Sequence, residues 1–277
     1  MIECVDDVWD SVQTNKSDYL KHKVFTALQS YIEFYEQFSF SIFGFPSMGV
    51  HCMANIDSYL CSSAQGTLES ISYVLKNGRI CDAYALLRKY HESAIVSVYI
   101  NLYLEDHKNP EDALNIQIKN WIDGKQKLPD YRVINKYVLD SEKLKPLTNI
   151  LHIDERYKTI KNKCNDMMHY NSLDAVIVND NEHFLNNRLE YLDDIFECLR
   201  DIVILNLSYL FFLKDHYMRS SDYMDAIEVG VNPEEGSQYW VCPYVQDMFN
   251  QVIQAQRPDI ASLIIENTCM HLSTHDK

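Results

Sequence analysis

Apolar residues recur at intervals of three and four along most of the chain, the spacing that gathers side chains on one face of a helix. Leu20, Val24, Leu28, Ile32, Tyr35 and Phe38 make the first such stripe and predict a long helix over 19–44, interrupted by Phe45-Pro46-Ser47-Met48-Gly49. A second helix is expected from Ile56 to Lys76, where Asn77-Gly78 stops it. A third follows over 79–106, with Ala83, Leu87, Tyr90, Ala94, Val98 and Leu102 along one side. Neighbouring apolar residues widen that stripe, so this reads as a central helix. Asn109 and Pro110 suit the cap and first residue of a helix that reaches Asp123.

Beyond Pro129 a polar stretch, helix or loop, extends to Pro146. Two further helices are expected over 153–170 and 183–217, the second about 50 Å long if unbroken and the natural spine of a bundle. Asp174-Ala175-Val176-Ile177-Val178 looks like a short, isolated strand, either a connecting loop or half of a hairpin. Past Arg219 the glycines and prolines cluster, and short helices are expected over 243–255 and 258–266. The pattern predicts an all-α multi-helix bundle with long central helices over 1–217 and a small C-terminal helical arm over 218–277.

Composition agrees with helix. Seven glycines and 7 prolines in 277 residues leave little turn material for a many-stranded sheet. The apolar run from Ile202 to Leu213 is broken by Asn206 and Ser208 and is shorter than the roughly 20 residues a bilayer requires, so no membrane span is expected. The acidic start, Met1 to Asp7, carries no apolar leader, and the 8 scattered cysteines never form C-x-x-C. A cytoplasmic protein with free thiols is the expectation. Charge is uneven: Lys119 to Lys163 holds 11 basic and 6 acidic residues, net +5, inside a chain of net −15. Such a stretch is either a phosphate-binding surface or a solvated face.

One polar segment could carry chemistry. On a helix Asn162, Asn165 and His169 fall on one face, with Lys161 beside them. An imidazole moves protons near neutrality, a cation holds a phosphate, and an amide orients either; together they suit attack of a ribose 2′-hydroxyl on its own phosphodiester. The same groups would equally serve to bridge helices. Arg88 and Glu92 stand i, i+4 in an otherwise apolar helix and should pair. The usual glycine-rich phosphate cradles and the G-x-S-x-G elbow are absent. Asp166-x-x-His169 and Asp180-x-x-His183 are poor substitutes for the Glu-x-x-His pairs of a di-metal bundle, so no metal or other cofactor is expected.

Asn165-Asp166-Met167-Met168-His169 resembles the N-x-x-x-H half of the R-N-x-x-x-H signature of the HEPN superfamily, helical-bundle proteins often acting as metal-independent ribonucleases in bacterial toxin and phage-defence systems. Cys164 stands where that signature has its arginine. The segment Gly78 to Glu92 is similar to the central helix of HEPN-like proteins, with its leucine-arginine run and a glutamate one turn later. The resemblance covers about 67–216. It implies an RNase with His169, Asn165, Arg88 and Glu92 in the catalytic site, Lys161 and Lys163 binding substrate phosphate, RNA as partner and a two-fold homodimer. The alternative is a non-catalytic helical module that binds a protein.

Overall fold

A computed structural model describes residues 17–44, 47, 49–107, 115–180 and 188–273. Among them the chain is an all-α multi-helix bundle, whose only extended pairing is an isolated bridge between Arg219 and Val241. The helices are α1 (Ser17–Leu20), α2 (Lys23–Ser41), α3 (Ile56–Lys76), α4 (Ile80–Asp106), α5 (Asn115–Ile122), α6 (Tyr131–Leu139), α7 (Lys145–Leu151), α8 (Arg156–Met168), α9 (Leu173–Ile177), α10 (Arg188–Leu213), α11 (Asp222–Glu228), α12 (Pro243–Met248) and α13 (Pro258–Asn267). No helix in the described residues is long and apolar enough to cross a membrane. The helix start expected at Asn109-Pro110, the interruption at Phe45-Pro46, His183 and the acidic start of the chain all lie outside the described residues.

Two compact units interleave along the sequence. The first comprises 1–40, 58–93 and 155–202; the second comprises 41–57, 94–154 and 203–277. Residues 218–277 therefore fall in one unit with 94–154, and α4 and α10 each contribute one part to each unit.

In the first unit the predicted stripes meet. Val24, Leu28, Tyr35 and Phe38 of α2, Leu68, Ile71 and Leu75 of α3, and Leu87 and Tyr90 of α4 are buried together with Leu192, Ile195 and Leu199 of α10. Burying side chains of this size stabilises by about 1.5–3 kcal/mol each, the main force holding the helices together. The buried polar ends are paired: the Tyr35 and Tyr90 hydroxyls meet at 2.7 Å, and Tyr19 donates to the Leu75 carbonyl at 2.8 Å. Arg188, among the largest fully buried side chains, donates to the carbonyls of Gly78 and Asp180. Gly78, at φ 73°, closes α3 through two backbone bonds, its own N–H to Leu75 and that of Arg79 to Val74.

In the second unit Val98 and Leu102 of α4, Ile134 and Val138 of α6, Leu147 and Leu151 of α7, and Val203, Leu207 and Phe211 of α10 are buried. The Tyr209 hydroxyl meets Thr148 at 3.2 Å, and Arg257 donates to the Ile150 carbonyl at 2.8 Å. Two sequence expectations change. The polar stretch after Pro129 holds two helices, α6 and α7, each with an apolar face too short to stand out in a window of charged residues. The apparent strand at 174–178 is the helical turn α9, set by Ser172, whose hydroxyl accepts from the Ala175 N–H at 3.2 Å. Local capping outweighs the β-propensity of Val176, Ile177 and Val178 there.

Candidate functional site

The site lies within the first unit, where α8 runs beside α4. Tyr157, Ile160, Cys164 and Met167 are the buried side of α8, anchored by a bond from the Cys81 thiol to the Met167 carbonyl at 2.9 Å. That register leaves Lys161, Asn165 and His169 on the polar side. Asn165 is half-buried, whereas Asn162 and His169 are exposed.

Arg88 comes from α4 and is the hub. Its Nε donates to Glu92 Oε1 at 2.9 Å, and its Nη2 also reaches that oxygen. Its Nη1 donates to Asn165 Oδ1 at 3.0 Å and to the Lys161 carbonyl at 3.4 Å. The Arg88 side chain is 13% exposed and that of Glu92 35%, so the guanidinium is sheltered while the carboxylate opens toward water. An arginine preceding a glutamate by four residues is the weaker order for stabilising a single helix. The α8 acceptors give this arginine its place. The structure thus brings together Arg88, Glu92, Asn165 and the backbone of Lys161; the spacing suggested the Arg88–Glu92 pair, and the meeting with α8 is a long-range contact.

His169 caps α8 from its C-terminal end instead of lying inside the helix. Its backbone N–H still bonds to the Asn165 carbonyl at 2.9 Å, but its φ and ψ of −97° and 7° are no longer helical. Among the described residues its ring makes no hydrogen bond. The next residue carries the cost of that ending. Tyr170 takes φ 52°, the one non-glycine residue with positive φ among those described. Its N–H reaches Met167 at 3.2 Å, that of Asn171 reaches Asp166 at 3.0 Å, and the Asn171 side chain donates to Asp166 Oδ1 at 2.8 Å. Helices α3, α5 and α11 end with the same pair of bonds, each using a glycine at this position. A tyrosine there costs of order 1 kcal/mol.

Lys163 turns elsewhere, to an ion pair with Asp194 of α10. Burial works against its charge, but Asp194 outweighs that and holds the Lys163 pKa above the usual range. The same carboxylate accepts from Tyr84 at 2.6 Å. Burial and Asp194 together push the Tyr84 phenol far up. Asp194 and Tyr84 were not legible as site residues, because each looks ordinary in its own helix. Cys164, at the position of the signature arginine, is fully buried, and burial pushes its thiol up to about 12. It supplies neither a cation nor a reactive thiolate. Among the described residues no group of three or more His, Cys, Asp or Glu is placed to hold a metal ion.

The fold and cluster define an all-α bundle in which an arginine-glutamate pair on one helix clasps the polar face of another, whose C-terminal cap is an exposed histidine. Comparison with family models, curated proteins and solved structures gives no match.

Proposed function

We propose that the chain cleaves RNA by HEPN-like chemistry at His169. One observation supports this reading above the others: Arg88, from a different helix, donates to Asn165 one turn before an exposed imidazole. A guanidinium thereby stands beside the asparagine, as in the R-N-x-x-x-H signature, although position 164 itself is a buried cysteine. In the reaction the ribose 2′-oxygen bonds to phosphorus and the bond from phosphorus to O5′ breaks. His169 accepts the 2′-hydroxyl proton, and water protonates the leaving oxygen. Asn165 orients the phosphate, and Arg88 and Lys161 stabilise its added charge.

The alternative, a non-catalytic module, has its own support. Glu92 and Asp194 neutralise Arg88 and Lys163, the pattern of polar ties between helices. A cleavage assay separates the two. Labelled single-stranded RNA incubated in chelator should be cut by the unaltered protein and left intact by His169→Ala, and RNA with a 2′-deoxy sugar should resist both. Absence of cutting by the unaltered protein, or equal cutting by His169→Ala, overturns the nuclease reading.

A further inference from the structure

The second unit carries a largely exposed amphipathic element, far in sequence from the chemistry discussed above, that rests against the short turn Ser237–Tyr239. Helix α11 buries none of its residues. A seven-residue helix is not stable on its own in water, and packing of an apolar face normally supplies the difference. Here that face is open: Met224 and Ile227 are exposed at i, i+3, and the chain continues with Val229 and Val231 at 74% and 60% exposed. Isolated exposed aliphatics are common, but two on this short helix followed by two more in the turn that ends it, four within eight residues, are a cluster of the kind that marks contact surfaces.

The charge around the patch says what fits it. Asp222, Asp225, Glu228, Glu234 and Glu235 are all exposed, and none has an ion-pair partner among the described residues. No Lys or Arg occurs between Arg219 and Arg257. On the helix Asp225 and Glu228 fall on the face next to Met224 and Ile227. Five uncompensated carboxylates repel nucleic acid and anionic lipid surfaces alike.

From this juxtaposition we infer that the element over 222–235 is a docking site for a protein segment that presents aliphatic anchors flanked by Lys and Arg. The anchors cover the open aliphatics, and the flanking cations answer the acidic rim. The site stands apart from the reading of His169 and survives its failure.

The test uses the full chain and a synthetic amphipathic peptide of roughly 15 residues, about 22 Å as a helix, made of leucine and lysine. A counterpart has glutamate for every lysine. Two paired variants probe the site, Met224→Gln with Ile227→Asn, and Asp225→Lys with Glu228→Lys; circular dichroism confirms that each keeps its helices. In fluorescence anisotropy the lysine peptide should bind the unaltered chain and the glutamate peptide should not. Each paired variant should weaken binding about tenfold, the charge-reversed pair chiefly through a lost salt dependence. Equal binding of both peptides, or unchanged affinity in both variants, overturns the assignment. So does self-association of the chain that these variants abolish, since the patch then belongs to a second copy.

Discussion

Residue 170 offers a sharp test of how α8 is ended beside His169. A left-handed residue with a Cβ costs roughly 1–2 kcal/mol, whereas glycine takes that conformation freely. Glycine in turn gives up about 0.5–1 kcal/mol more chain entropy on folding. Tyr170→Gly alone would mix this backbone gain with loss of a ring that is 53% exposed. The informative comparison is Tyr170→Gly against Tyr170→Ala, since both lose the ring. The glycine variant should be the more stable of the two by about 0.5–1 kcal/mol, equivalent to a melting point about 1–3 °C higher for a chain of this size. At Lys158, exposed within α8, the same pair should rank in the opposite order by about 1 kcal/mol. Urea titrations at constant m-value read both comparisons. Alanine equal to or better than glycine at 170 would refute the left-handed ending and the placement of His169 that follows from it.

Two other outcomes are expected. Arg88→Met should destabilise by about 2 kcal/mol, because it strands the acceptors on Glu92, Asn165 and the Lys161 carbonyl, whereas Glu92→Gln should cost under about 1 kcal/mol and strengthen RNA binding by freeing positive charge; equal urea midpoints for Arg88→Met and the unaltered chain would show that the cluster ties nothing together. Loss of hydration is the largest influence on His22, His152 and His216 and lowers all three from the usual 6.5, most securely at half-buried His22, since His152 and His216 keep exposed surface. The unfolded chain therefore takes up protons first as pH falls, so their contribution is full above about pH 6.5 and is lost below it. Asp201, raised by burial against the pull of Arg156 and Arg200, acts in the opposite sense. The urea midpoint should consequently drop between pH 7 and pH 5, and a flat or rising midpoint would contradict the assignment.

The long helices were legible because their information is periodic and redundant. The Leu20 to Phe38 stripe and the Ala83 to Leu102 stripe each repeat one message over several turns, so no single residue decides the outcome. Asn77-Gly78 marked the end of α3 because glycine is the residue that the left-handed ending prefers. The end of α8 gave no such mark, since Tyr170 performs the same role with a side chain that argues against it. For α9 the apolar run Ala175 to Val178 spoke for a strand, and a single cap hydroxyl at Ser172 decided otherwise. Where one hydrogen bond chooses between conformations, pattern reading over a window averages the decisive residue away.

The site divides in the same way. The pairing of Arg88 with Glu92 is local and followed from i, i+4 spacing, and the common face of Lys161 and Asn165 followed from helical geometry. That these two pieces meet is a contact across 77 positions of sequence, fixed by which apolar faces of α4 and α8 are buried. Lys163 shows the converse. It sits two residues from Lys161, and that spacing turns it about 200° around α8 to Asp194. Its cation serves a tie to α10 on the opposite side from Asn165. Of the two lysines assigned to phosphate by resemblance, Lys163 is engaged by Asp194 and Lys161 meets Arg88 through its backbone carbonyl, and any phosphate bound there must compete with Glu92 for the guanidinium. The Glu92→Gln variant is accordingly the change that should most separate a catalytic cluster from a structural one: a nuclease gains affinity for its substrate, while a purely structural tie loses a little stability and gains nothing.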